Sequence, residues 1–322
     1  MRICYSGNNM LVGFNYFLSQ ADLSDSSKLE IRTSGKWLNV HPAALVFAAA
    51  LSDLVGKENT IIKNEAGKSG LYLDRMGLYN YTSTPSTYDY HQHEESGRFV
   101  PIRQIKTSVD QSRFISDLVP LLHLIPEKAL AVKYIVGELV RNTIEHSRSS
   151  GGAFVAAQYR TKSNVISLGI ADTGIGLKAS LDQWHRPKDD LDAIKLALSP
   201  GISGTTWQDG GNFNNAGAGL FIVKSLSKMT RNYFVIYSGD SAYKLLKYDK
   251  RVKYAPRIYA NPFKDKHSQY EHLPNFHGTL IGLDISLDDT EEFNNLLEVI
   301  KDSISKAIRE RKEQNYKEIK FI

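Results

Sequence analysis

The stretch Val165 to Ala171 (VISLGIA) is apolar enough to be a central strand, and it runs without a break into Asp172-Thr173-Gly174-Ile175-Gly176. A carboxylate at a strand end can accept a hydrogen bond from an exocyclic amine, and glycines beside it let backbone approach a flat ring closely. Taken alone, DTGIG is equally compatible with a plain turn.

At 322 residues the chain should hold about two domains, taking roughly 150 residues for each. Leu29 to Thr33 and Thr60 to Lys63 read as strands on either side of a helix over Ala43 to Val55 that begins after Pro42, and an amphipathic stretch follows over Leu71 to Leu78. This is a small α/β unit. Tyr79 to Gly97 (YNYTSTPSTYDYHQHEESG) reads as a linker or exposed loop, which puts a boundary near Ser96. Its His91 and His93 lack a third metal ligand nearby and read as loop residues.

A second unit over 97–290 starts with a strand at Phe99, a helix from Asp110 to His123 and a longer helix from Glu127 to Ser147. Strands are expected at Ala153 to Tyr159, Val165 to Ala171, Asn232 to Tyr237, Tyr243 to Tyr248 and Thr279 to Ile285, with helices at Asp190 to Leu198 and Gly219 to Met229. Residues 291–322 form a charged final helix with an apolar seam at Phe293, Leu297, Ile300 and Ile304.

Glu138, Asn142 and His146 recur every four residues on the long helix and so form one polar stripe. A carboxylate and a carboxamide one turn apart can take a proton from water and offer an oxygen to Mg²⁺, although a solvated helix face has the same look. Further along, Asn215-Ala216-Gly217-Ala218-Gly219-Leu220 opens a helix, which places free N–H groups and the positive end of the helix dipole where phosphates can sit. Phe276-His277-Gly278-Thr279 then brings a hydroxyl to the start of a late strand. A lone GxG is weak; E-x-x-x-N, D-x-G-x-G and G-x-G-L in this order, on a helix, a strand end and a helix start, are a much stronger signal.

In these motifs residues Phe99 to Ser286 resemble the GHKL ATP-binding domain shared by DNA gyrase, MutL, the ninety-kilodalton heat-shock chaperones, histidine kinases and anti-sigma-factor serine kinases. GELVRNTIEHS is similar to the family's N box, ADTGIGL to its first glycine box, NNAGAGLFIVKSL to its second and HGT to its threonine motif. The resemblance implies an α/β sandwich, a mixed sheet with helices on one face, preceded here by the small α/β domain. It implies that Asp172 holds the adenine amine with Thr279 completing the contact, and that Gly174, Gly176, Gly217, Gly219 and Leu220 shape the nucleotide site. Asn142 would bind Mg²⁺, Glu138 would act as general base, and Leu177 to Ala216 would form a lid.

No helical hairpin carrying a phosphoacceptor histidine precedes the N box, and His123 in LLHLIPEK reads as a packing or capping residue. The chain therefore departs from the histidine-kinase branch, and Glu138 aligns it with the anti-sigma kinases and gyrase-like ATPases. The first unit, with LYLDRMGLY after its second strand, faintly resembles a STAS domain, but His41-Pro42 occupies the place of the acceptor serine.

The expected ligands are ATP and Mg²⁺, with a protein partner engaged through the first unit, and a homodimer is compatible with the sequence. A hydrophobic fraction of 42% and a charged fraction of 23% exclude disorder and coiled-coil arrays. The net charge of +5 does not by itself imply nucleic acid. The basic, aromatic-rich stretch Tyr243 to Lys266 fits either single-stranded nucleic acid or the solvated edge of a hairpin. One cysteine, Cys4, points to a reducing compartment, hence the cytoplasm, and the longest apolar run, Ala43 to Leu51, is too short to span a membrane.

Overall fold

The computed structural model describes residues 1–33, 39–63, 67–86, 99–121, 126–202, 218–249, 251, 256–287 and 293–318. In chain order the amino-terminal part holds β1 (Arg2–Tyr5), β2 (Asn8–Asn9), α1 (Phe14–Ser19), β3 (Leu29–Thr33), β4 (Asn39–Val40), α2 (Pro42–Val55), β5 (Thr60–Lys63) and α3 (Gly67–Arg75). There follow β6 (Phe99–Ile105), α4 (Ser108–Leu121), α5 (Pro126–His146), β7 (Ala153–Arg160), β8 (Val165–Asp172), α6 (Gly176–His185) and α7 (Asp190–Ala197). The rest comprises α8 (Gly219–Met229), β9 (Phe234–Gly239), β10 (Ser241–Leu245), β11 (His267–Tyr270), β12 (Phe276–Ser286) and α9 (Phe293–Glu318).

The protein is a mixed α/β structure with an open seven-stranded sheet in the order β11-β10-β9-β12-β8-β7-β6 and a small parallel sheet, β1-β3-β5. Every pairing among the described strands of the large sheet is antiparallel, so the mixed sheet implied by the resemblance is not what these strands form. The helices α4, α5, α7 and α8 of the second unit pack on one face of the sheet, as expected, and α2 of the first unit covers the other. Ile166, Leu168, Ile170, Ile281 and Leu283 share one core with Leu139 of α5 and Phe221 and Leu226 of α8. The alternate residues Phe154, Ala156, Ala171, Tyr237 and Leu280 share another core with α2 and the small sheet.

That second core forms because α2 is buried nearly all round. Pro42 stands in its first turn, the His41 ring nitrogen Nδ1 accepts from the Ala43 amide at 3.0 Å, and Gly56 ends it at φ +94°. Its run of alanines (AALVFAAA) makes it thin enough to lie between two sheets. Gly169 of β8 and Gly282 of β12 are direct cross-strand partners and form a notch for the start of α2: a Cβ on Gly282 would lie 2.8 Å from the Ala43 Cβ. Beside the notch, His41 Nε2 stands 3.4 Å from Asp284 Oδ1, which also accepts from Arg160 at 2.8 Å. The amino-terminal unit therefore shares its core with the large sheet.

Local readings differ from the sequence expectations in understandable ways. Tyr79, at the start of the expected linker, is buried in a short 3₁₀ turn over Leu78–Tyr81, because an aromatic side chain in a polar-looking stretch still finds the core. Residues 87–98, with His91 and His93, lie outside the described residues. No described helix is long and apolar enough to cross a membrane.

Candidate functional site

Asp172 is the last residue of β8 and pairs across the sheet with Thr279 of β12. Only 2% of it is exposed. Burial pushes its carboxyl up from the usual 3.8 to about 7, with backbone hydrogen bonds from Gly174 and Thr279 pulling the other way. The Gly174 amide donates to its Oδ1 at 2.8 Å, and the Ile175 amide donates to the Ser147 carbonyl at 2.8 Å, so the DTGIG loop is fastened to the end of α5. Only glycine fits at 174, where a Cβ would overlap the Ser147 carbonyl.

The threonine motif is held just as tightly. Gly278 sits at φ +143°, and a Cβ there would overlap the Asp172 carbonyl. Ser238, a residue the motifs did not single out, donates its hydroxyl to the Gly278 carbonyl at 2.7 Å and accepts from the Leu177 amide at 3.0 Å. It thereby ties β9, β12 and the start of α6 together around the acid.

The other end of the site lies up α5. Glu138 is largely buried, and its carboxyl is shifted upward by desolvation, an effect opposed by Arg141. Arg141 Nη2 donates to Glu138 Oε2 at 2.6 Å. The start of α8 stands directly over this stripe: a Cβ on Gly219 would be 2.7 Å from Glu138 Oε2 and 3.0 Å from Asn142 Nδ2. Among the described residues no side chain caps α8 at Ala218, and the first turn of a helix so begun presents N–H groups suited to an anion. Leu220 packs beside the cluster of Leu181, Ala193 and Ala197 contributed by α6 and α7.

Along α5 the two ends are nine residues apart, from Glu138 to Ser147, or about 13 Å at the α-helical rise. The arrangement thus offers a hydrogen-bond acceptor at one end, a carboxylate, a carboxamide and the start of a helix at the other, and glycines between. A cation at the second end would find oxygen donors suited to a hard ion that keeps its waters. The described residues hold no group of three or more His, Cys, Asp or Glu placed to bind a metal unaided.

Gly217 and the glycines Gly204, Gly210 and Gly211 of the expected lid lie outside the described residues, as does the side chain of His146. Within the lid span α6 adds a helix where the sequence pattern predicts none, and the helix expected at Asp190 is present as α7, capped by Asp189, whose Oδ1 accepts from the Asp192 amide at 2.7 Å. A cavity of about 390 Å³ opens at the end of the DTGIG loop, lined by Ile175, Gly176, Ser238, Phe276 and His277 among others, and neither Glu138, Asn142 nor Asp172 lines it.

The basic stretch divides: Lys247, Arg251, Arg257, Lys264 and Lys266 are exposed, whereas Lys244 turns inward. Lys244 is buried and donates to the Val12 carbonyl at 3.0 Å and to Asn15 Oδ1 at 2.9 Å, joining β10 to the amino-terminal unit. Tyr243 stacks on Phe263 and His267, while Tyr248 and Tyr259 flank the Lys228 ammonium, itself paired with Asp265. These rings serve the fold rather than a base-stacking surface, and Lys250 and Lys253 lie outside the described residues.

No protein-family model matches the chain, and no curated protein matches it.

Proposed function

We propose that this chain is a Mg²⁺-dependent ATP-binding protein of the GHKL type that hydrolyses ATP to drive a conformational switch. The observation that carries the reading is the approach of Gly219 to Glu138 and Asn142, which joins two motifs 77 residues apart at an uncapped helix start, while the third motif sits at the other end of α5. Chance turns and solvated faces have no reason to converge in this way.

On this reading Asp172 accepts from the adenine amine, Thr279 supports that contact, and the glycines of both loops let backbone lie against base and phosphates. The first amides of α8 bind phosphate oxygens. Asn142 would hold Mg²⁺, which when bound neutralises phosphate charge. Glu138, with its carboxyl shifted upward by burial, takes the proton from a water aimed at the terminal phosphate. The amino-terminal unit, sharing a core with the sheet, is placed to pass the nucleotide state to a protein partner in a reducing compartment.

A second reading, a nucleotide-gated binding module without turnover, is favoured by the Arg141 contact, since a guanidinium on Glu138 weakens it as a base. Transfer of the phosphoryl group to a partner serine or threonine is a third outcome of the same chemistry. Calorimetric titration with ATP, with and without Mg²⁺, tests binding, and phosphate release tests turnover. Absence of ATP binding under both conditions would sink the proposal; binding without phosphate release or label transfer selects the module.

A further inference from the structure

Arg141 occupies a position that the motifs leave unassigned. It is the residue before Asn142 on α5, and its guanidinium holds Glu138 Oε2 at 2.6 Å. A pair three residues apart on a helix is ordinarily a weak surface contact. Here the acid is only 13% exposed and faces the uncapped start of α8, whereas Arg141 keeps 39% of its side chain open.

The charges explain why a cation is needed at this point. If a triphosphate extends from Asp172 toward Gly219, its terminal phosphate arrives beside the Glu138 carboxylate, and two like charges at that distance repel in a partly buried site. Guanidinium has five N–H donors in a planar fork, of which the contact with Oε2 engages one. The remaining donors, on the open part of the side chain, suit phosphate oxygens.

We infer that Arg141 bridges Glu138 and the terminal phosphate of bound nucleotide, so that the site distinguishes a nucleoside triphosphate from a diphosphate. The inference rests on the ATP-binding reading and adds to it a positioning residue that orients the acid and reads the γ-phosphate. A diphosphate ends one phosphate short of Arg141 and leaves the Glu138 pair as it stands.

The test is calorimetric titration of the full chain with Mg²⁺ and either ADP or the β,γ-imido analogue of ATP, for wild type, Arg141→Ala and Arg141→Lys. The expected result is a loss of at least tenfold in affinity for the triphosphate analogue in Arg141→Ala, with ADP affinity within twofold of wild type. Arg141→Lys, which keeps the charge but not the fork, recovers part of that loss. Equal losses for both nucleotides, or unchanged affinity for the analogue, overturn the inference while leaving ATP binding intact. A wild-type chain that binds neither nucleotide overturns the inference and the reading together. Circular dichroism of each variant separates loss of binding from loss of fold, and if Arg141→Ala unfolds, Arg141→Lys carries the same comparison.

Discussion

Gly169 and Ala43 meet backbone to backbone: a Cβ built on the glycine would overlap the Ala43 amide. The contact seats α2 on the middle of the large sheet, on the strand that ends three residues later at Asp172. It also makes the notch sensitive to a single methyl group.

Gly169→Ala should therefore destabilise the protein by about 1–3 kcal/mol, the usual cost of overpacking a tight core, because the obstacle is backbone and cannot swing away. Gly137→Ala should do the opposite. It lies inside α5 with its nearest neighbours at 3.9 and 4.0 Å, so the added methyl fits and removes glycine's excess unfolded-state freedom, a gain of about 0.5–1 kcal/mol. Urea denaturation of both variants checks the pair, and a stable Gly169→Ala would mean that α2 does not sit in the notch.

Asp172 should give stability a pH signature. Its folded carboxyl titrates near 7 against the usual 3.8, so the folded state holds the proton more tightly than the unfolded one. The contribution is fully present below about pH 4 and is lost as pH rises through about 7. Asp172→Asn should lack that slope in denaturation measured from pH 4 to 8. Its affinity for ATP should fall at least tenfold, about 1.4 kcal/mol. In wild type, ATP affinity should rise from pH 6 to 8 as the acceptor ionises; a flat profile would count against the adenine contact.

For Asn142 the diagnostic is the metal. Asn142→Ala should shrink the Mg²⁺-dependent part of ATP affinity and leave Mg²⁺-free binding nearly unchanged. Equal losses with and without Mg²⁺ would make Asn142 a structural residue of α5.

Glu138→Gln keeps the shape of the side chain and removes its basicity. Nucleotide binding should persist while phosphate release falls about a hundredfold or more, the usual size of general-base assistance. Equal rates in variant and wild type would exclude Glu138 as the base.

Much of this organisation can be read from the sequence, because periodicity and turn chemistry are local. The strand that ends at Asp172, the helix that bears Glu138 and Asn142, and the helix opening at Gly219 all lie where the pattern of residues puts them. What stayed hidden depends on distant pairing. Ser238 and Arg141 carry no motif and gain meaning only from the Gly278 carbonyl and the Glu138 carboxylate they meet. Lys244 reads as part of a basic surface until Val12 and Asn15 are brought to it from 229 or more residues away. The notch does carry a signal in the sequence: a glycine in each of two apolar strands, together with an alanine-rich helix, is the mark of close backbone approach.

The burial of α2 between two sheets has a consequence for how the chain comes to be made. Residues 42–55 leave the ribosome ahead of β7, β8 and β12, which build one wall of their groove, and the last of these ends at Ser286. An apolar helix must wait for more than 200 residues of synthesis before its partner surface exists, and closing so long a loop is slow compared with local helix formation. During that interval AALVFAAAL is exposed and prone to wrong contacts, so release from the ribosome before β12 is complete should yield aggregating chains rather than a folded amino-terminal fragment.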